Sequence, residues 1–135
     1  MQKAVLDKAF EVYNFFMNSI ATYKFFEITE FERKQEVYTK MDEIDFLSRL
    51  LFSYKTFCIM YDELQKYKKI IINDKFPEYD EIKRDYENHK ECELDYDDVF
   101  SSTSNVSEST HKHALMIILT RRIIDNAFSE YRLKL

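Results

Sequence analysis

The sequence predicts an all-α fold, a single-domain bundle of four or five helices that spans residues 1–135. The first observation is that the 135 residues include no glycine. Glycine is the usual residue at strained turns, hairpin loops and β-bulges, so a β-rich fold of this length without it is improbable. The second observation is that apolar residues, 45% of the chain, recur at helical spacing.

The N-terminal half predicts two helical stretches. Between residues 2 and 26 the apolar positions recur at helical spacing, at Val5, Ala9, Val12, Tyr13, Phe16 and Ile20. Thr29 and Glu32 then have the spacing of a capping box, in which each side chain accepts from the other residue's backbone N–H. A second stretch therefore begins at Glu30, and either runs to about Asn73 or breaks near residues 39–42.

The clearest periodicity lies between Leu47 and Ile71. Apolar residues follow a spacing of three then four, at Leu47, Leu50, Tyr54, Phe57, Tyr61, Leu64 and Ile71. This spacing predicts a bundle helix with coiled-coil-like packing, and an intermolecular coiled coil is the alternative.

The C-terminal half predicts a charged helix, a flexible loop and a final apolar helix. Asn73 and Asp74 end the preceding helix, and Pro77 suits the first turn of the next one, which turns Tyr79, Ile82 and Tyr86 inward. An acidic, serine-rich loop at about 95–107 follows. The final helix then runs to about Tyr131.

Composition excludes several classes of function. A chain without glycine lacks the usual phosphate-binding and dinucleotide-binding loops, so no cofactor is predicted. No metal site is predicted, because the Glu108–His111 spacing of di-iron bundles has no second copy and Cys58 and Cys92 have no clustered ligands. Cys58 is expected in the core, and two cysteines without clustered partners favour a reducing compartment. The sequence has no signal peptide and no long apolar run, which predicts a cytoplasmic protein away from the membrane.

One short motif carries a catalytic alternative. Arg84 is followed five positions later by His89, with Asp85 between them. This pattern is similar to the Arg-x4-His motif of the HEPN superfamily, whose members are helical bundles and in many cases metal-independent ribonucleases. The resemblance implies that Arg84 contacts a scissile phosphate and that His89 acts as general acid or base.

The leading prediction is a non-catalytic protein-interaction module, such as an inhibitor, immunity factor, adaptor or small complex subunit. Phe and Tyr number 22 together, and these residues are favoured in interface cores. Residues 74–98 contain 11 acidic and four basic residues, which suits a basic or nucleic-acid-binding protein partner. Six residues are predicted to contact the partner: Tyr54, Tyr61, Asp95, Tyr96, Asp97 and Asp98.

The sequence further predicts a homodimer or a hetero-complex, formed through the Leu47–Ile71 face or through the final helix. Direct binding of nucleic acid is not favoured, because the net charge is −5. The basic run at residues 66–69 suits the solvated C-terminal end of a helix better than a phosphate contact.

Overall fold

The computed structural model describes residues 2–89 and 108–134, and all regular structure in these two ranges is helical. The predicted all-α class is confirmed. The described residues form seven helical segments, two of them only four residues long, so the count of four or five is not confirmed. The segments are α1 (Lys3–Ser19), α2 (Tyr23–Phe26), α3 (Phe31–Leu51), α4 (Tyr54–Asn73), α5 (Tyr79–Asn88), α6 (Glu108–Ala127) and α7 (Ser129–Arg132).

A long-range contact divides the first predicted stretch, residues 2–26, into α1 and α2. The Arg121 guanidinium, on α6, donates to the backbone carbonyls of Met17 at 2.9 Å and Ala21 at 3.2 Å. These carbonyls lie at the end of α1, where the helix leaves acceptors without internal partners. Because the partner is 100 residues away, local periodicity gave no sign of this break.

The predicted capping box before α3 does not form. The residue at the N-cap position is Glu30 rather than Thr29, and no side chain accepts a hydrogen bond there. Helix α3 begins at Phe31, one residue later than the capping box requires. The prediction of a Thr29–Glu32 cap is therefore wrong.

The long second stretch breaks at residues 52–53 and not at 39–42, which lie inside α3. At the break, the Ser53 hydroxyl accepts from the Thr56 backbone N–H at 3.3 Å, and the Ser53 N–H donates to the Tyr131 hydroxyl at 2.8 Å. Ser53 is thus the N-cap of α4, and α7 supplies the partner for its own N–H.

This break divides the predicted Leu47–Ile71 stripe between two helices. Leu64 and Ile71 are buried as expected, but Leu50 and Tyr54 project into solvent. The prediction of one continuous buried face is therefore wrong in its first half.

Helix α4 ends with a left-handed residue that is not glycine. Asp74 takes the left-handed conformation with φ of 49°, and its N–H donates to the Ile70 carbonyl at 2.9 Å. Aspartate tolerates this conformation better than most residues. Its carboxylate also pairs with Lys34 at 3.0 Å, so the end of α4 is tied to α3. The predicted end at residues 73–74 is confirmed, whereas Pro77 lies outside α5, two residues before Tyr79.

Helices α3 and α1 pack together, α3 packs on α4, and α6 packs on α2, α4 and α5. The main core contains Phe16, Met60, Leu64 and Ile124, which are fully buried. A smaller apolar cluster joins α5 to α6 and consists of Ile82, Leu115, Leu119 and Ile123. The prediction that α5 turns one face inward is thereby confirmed.

The final predicted helix is interrupted at Phe128, so α6 ends at Ala127 and the short α7 follows. The buried Phe128 ring lies 4.8 Å from the Tyr13 ring, 5.1 Å from Phe52 and 5.2 Å from Tyr131, measured between centroids. This aromatic cluster connects α1, the α3–α4 break and α7.

Replacing Ser53 with alanine is expected to lower the free energy of unfolding by about 1 kcal/mol, because α4 loses its N-cap. The matched control is Thr29→Ala, which is expected to change that free energy by less than about 0.5 kcal/mol since Thr29 caps nothing. Urea unfolding followed by circular dichroism measures both. A larger loss in Thr29→Ala than in Ser53→Ala would contradict this account of the two helix starts.

Candidate functional site

The end of α3 and the start of α4 carry large apolar side chains in contact with solvent. Phe46, Leu50 and Tyr54 are 61%, 66% and 81% exposed, and Tyr61 is 38% exposed. Only residues 52–53 separate the two helices, which pack against each other. We call these four side chains the hairpin surface.

Aromatic rings and an arginine lie beside the hairpin surface. The Phe57 ring centroid is 6.0 Å from that of Tyr61, and the Arg49 guanidinium lies 4.9 Å from the Phe57 centroid. Arg49 is also held by Asp45, whose carboxylate accepts from its Nε at 3.2 Å. Tyrosine, phenylalanine and arginine are the residue types enriched in the cores of protein interfaces.

The Tyr54 hydroxyl interacts with the thiol of Cys58, one turn further along α4. This hydrogen bond raises the pKa of Tyr54 above its ordinary value of 10.0, at which a tyrosine is already neutral at physiological pH. Cys58 is a free thiol and only partly buried, which corrects the expectation that it lies in the core. Cys92 lies outside the described residues.

The structure places two of the six predicted partner-binding residues, Tyr54 and Tyr61, on the hairpin surface. The other four, residues 95–98, lie outside the described residues, as does the predicted flexible loop at 95–107. Sequence periodicity failed to identify Phe46, which is off the predicted stripe, and assigned Leu50 to the buried face.

Arg84 and His89, the residues of the catalytic alternative, have different surroundings. The Arg84 Nε donates to the Asp80 carbonyl at 3.4 Å on the exposed side of α5. His89 follows the last residue of α5, and its Nδ1 lies 2.8 Å from the Asp85 carbonyl oxygen. Arg84 lines a cavity, whereas His89 is not among the residues that line it.

That cavity, of about 840 Å³, lies between α4, α5 and α6. Its apolar wall includes Ile82, Met116 and Leu119. Four cationic side chains also line it, and they are Lys66, Lys69, Lys75 and Arg84. The cavity therefore combines an apolar wall with positive charge, as small-molecule sites commonly do.

A buried ion pair lies beside this cavity. The Glu63 side chain is 2% exposed, and its Oε2 lies 2.5 Å from the Nζ of Lys66, which is 30% exposed. Lys66 also pairs with Asp85 of α5, and Asp85 lies 3.5 Å from the His89 ring. These contacts form a continuous chain of ionisable groups from the core to the end of α5.

Burial and neighbouring charges shift the pKa values of Glu63 and Lys66 in opposite directions. Burial raises the pKa of Glu63 above its ordinary value, although Lys66 partly offsets this. Burial alone would lower the pKa of Lys66, but Glu63 and Asp85 together outweigh it and raise that pKa. In the sequence, Glu63 and Lys66 resemble an ordinary solvated pair on a helix surface, so no local signal predicted the burial.

The two histidines of α6 have separate surroundings. The His113 ring stacks on Phe26, with centroids 4.3 Å apart and planes at 12°, and it also contacts Phe76 at 4.3 Å. Burial lowers the pKa of His113, so its ring stays neutral near pH 7. His111 instead lies 3.2 Å from the Tyr79 hydroxyl. Within residues 2–89 and 108–134, no group of three or more potential metal ligands comes together.

Among the described helices, none is both long enough and apolar enough to cross a membrane. Comparison with known proteins adds no relative: no family model matches the chain, and no similar curated protein or solved structure was found. The fold and the exposed surface therefore define the class, an all-α protein with an apolar hairpin surface, and the function has to be argued from that surface.

Proposed function

We propose that this chain is a non-catalytic protein-interaction module that binds a protein partner through the hairpin surface. The observation that supports the proposal is the exposure of Phe46, Leu50 and Tyr54 on two adjacent helices. Large apolar side chains that cluster on a surface are typical of interaction sites, because removing them from water stabilises a complex.

The chemistry of the surface indicates what the partner offers. The neutral Tyr54 ring and the Leu50 side chain suit an apolar depression, and Arg49 at its edge suits a carboxylate on the partner. The exposed acids of α5, which include Asp80, Glu81 and Glu87, offer a second contact for a basic partner such as a nucleic-acid-binding protein.

Of the two faces considered for association, the hairpin surface is favoured over the final helix. The apolar residues of α6, including Leu115, Leu119 and Ile124, are already buried in the fold. A complex therefore forms through α3 and α4, either with a second copy of the chain or with a different protein. A partly exposed free thiol at Cys58 is compatible with the reducing cytoplasm as the place of action.

Leu50→Glu is expected to weaken partner binding at least tenfold, because it places a charge within the proposed apolar contact. The measurement is affinity capture of the tagged full chain from its native cells, with bound protein quantified by mass spectrometry. Ile72→Glu is the matched control: Ile72, like Leu50, is a largely exposed aliphatic residue (60%), but it lies near the far end of α4, outside the hairpin surface. Equal losses in both variants would contradict the proposal.

Sedimentation velocity of the purified chain then distinguishes the two kinds of partner. A dimer that dissociates in Leu50→Glu and persists in Ile72→Glu identifies a second copy as the partner. A wild-type monomer at all concentrations assigns the surface to a different protein, which is the one found by capture.

The runner-up function is a HEPN-like ribonuclease that uses Arg84 and His89. It is less well supported, because only Arg84 lines the cavity and His89 contacts Asp85 instead. Cleavage of RNA by the wild type that is lost in a folded His89→Ala variant would replace the interaction proposal with this one.

A further inference from the structure

Some of the charged residues around the cavity between α4, α5 and α6 form ion pairs, and others do not. Lys66 is neutralised by Glu63 and Asp85, so it is not available to a ligand. Glu78, another lining residue, pairs with Lys112 at 3.1 Å. These contacts account for one cation and two carboxylates of the lining.

The remaining charged residues leave a surplus of positive charge. Lys69, Lys75 and Arg84 make no ion pair with any residue that the structure describes, and Glu81 is the one lining carboxylate similarly without a described ion pair. Three cations stand against one carboxylate, and the Glu63–Lys66–Asp85 group carries one net negative charge, so the surplus is one positive charge. The three cations come from α4, from the α4–α5 connection and from α5, so they approach the cavity from different directions.

The inner side of the same cavity is apolar. Ile82 of α5 and Met116 and Leu119 of α6 are buried in the fold and form part of the wall, together with Phe76. A volume of about 840 Å³ falls in the range of pockets that hold small organic molecules, roughly 300–1,000 Å³. A ligand that fits both sides has an anionic head and an apolar body.

We infer that this cavity binds a phosphomonoester with an apolar body, whose phosphate contacts Lys69, Lys75 and Arg84. A phosphomonoester carries a charge of about −1.5 to −2 near pH 7, which the three lining cations without a described ion pair attract. The Arg84 guanidinium can hold two phosphate oxygens at once, and the lysines act as point charges. The apolar body lies against Ile82, Met116 and Leu119.

A small ligand is favoured over a polynucleotide because negative charge surrounds the site. Asp80 and Glu87 are exposed on the same helix as Arg84, and the chain has a net charge of −5. Such charges repel an extended chain of phosphates but affect a single phosphate inside the cavity much less.

Isothermal titration of the full chain at pH 7.5 tests this inference with three probes: 1-naphthyl phosphate, 1-naphthol and inorganic phosphate. We expect 1-naphthyl phosphate to bind at least tenfold more tightly than either of the others. Lys69→Gln and Arg84→Gln are each expected to weaken its binding about tenfold, since each removes a charge-assisted contact. Binding is also expected to weaken below about pH 6, where the phosphate takes up a proton.

Lys55→Gln is the matched control, because Lys55 is an exposed lysine of α4 far along the helix from Lys69. It is expected to leave binding unchanged. Leu50→Glu is likewise expected to bind the probe normally, so failure of the hairpin proposal and failure of this one are distinguishable. An equal loss in Lys55→Gln, binding of 1-naphthol as tight as that of 1-naphthyl phosphate, or binding of single-stranded RNA without binding of 1-naphthyl phosphate would each overturn the inference.

Discussion

Replacing Lys66 with methionine is expected to lower the free energy of unfolding by about 3 kcal/mol at pH 7. Removing one partner of a buried ion pair leaves an uncompensated charge, which typically costs about 3–5 kcal/mol. The lower value applies here because 30% of the Lys66 side chain still reaches solvent. Urea unfolding at 25 °C measures the change.

The loss is expected to shrink as the pH is lowered. The pKa of Glu63 is raised in the folded protein and rises further without Lys66, since Lys66 is the main group that offsets its burial. Because the pKa of Glu63 is raised by folding, the stability linked to this group is fully present below its unfolded-state pKa of about 4.5. That stability declines as pH rises through the folded-state pKa. The difference between Lys66→Met and wild type should therefore be smaller at pH 5 than at pH 7.

The double variant Glu63→Gln/Lys66→Met is the control, because it removes the buried negative charge together with its partner. It is expected to recover most of the stability lost in the single variant. A Lys66→Met variant whose stability loss is independent of pH and is not recovered by Glu63→Gln would show that Lys66 acts through packing alone.

The second large effect is expected for Phe128→Ala, which should destabilise the fold by about 3–5 kcal/mol. Phe128 is fully buried between α1, the α3–α4 break and α7, and its ring contacts those of Tyr13, Phe52 and Tyr131. Truncation would leave a cavity that these rings cannot fill without moving. Thermal and urea unfolding both report the change.

Phe31→Ala provides the comparison for this prediction. Phe31 is the first residue of α3 and is largely exposed, so its truncation is expected to cost less than about 0.5 kcal/mol. Similar losses for Phe31→Ala and Phe128→Ala would contradict the placement of Phe128 in the core.

The fold class was accessible from the sequence because it depends on local properties. A chain without glycine lacks the residue that tight turns between strands usually need. Helical periodicity predicted the inward faces of α1 and α5. The end of α4 was also readable, since Asp74 is one of the few residue types that tolerate the left-handed conformation.

The helix boundaries were less accessible because distant residues set them. The α1–α2 break depends on Arg121 and the α3–α4 break depends on Tyr131, each more than 75 positions away. Those contacts also decide which apolar residues face outward, so Leu50 was assigned to the core. The Thr29–Glu32 pattern shows the converse, a local signal that tertiary structure overrides.

The sites were the least accessible part. Tyr54 and Tyr61 were identified as partner contacts, and the structure exposes both. Arg84 was singled out by a motif, but the cavity that it lines also takes Lys69 and Lys75 from other elements. No sequence pattern marks residues that converge only after the helices pack.

The most direct test of the interaction proposal is site-specific photo-cross-linking in the native cell. A benzophenone amino acid is placed at Tyr61, within the hairpin surface, and in a second variant at Ile72, which is exposed on α4 outside it. The proposal predicts a covalent protein adduct of one defined mass from position 61 and none from position 72. An adduct from position 72 alone, or no adduct from position 61, would contradict it.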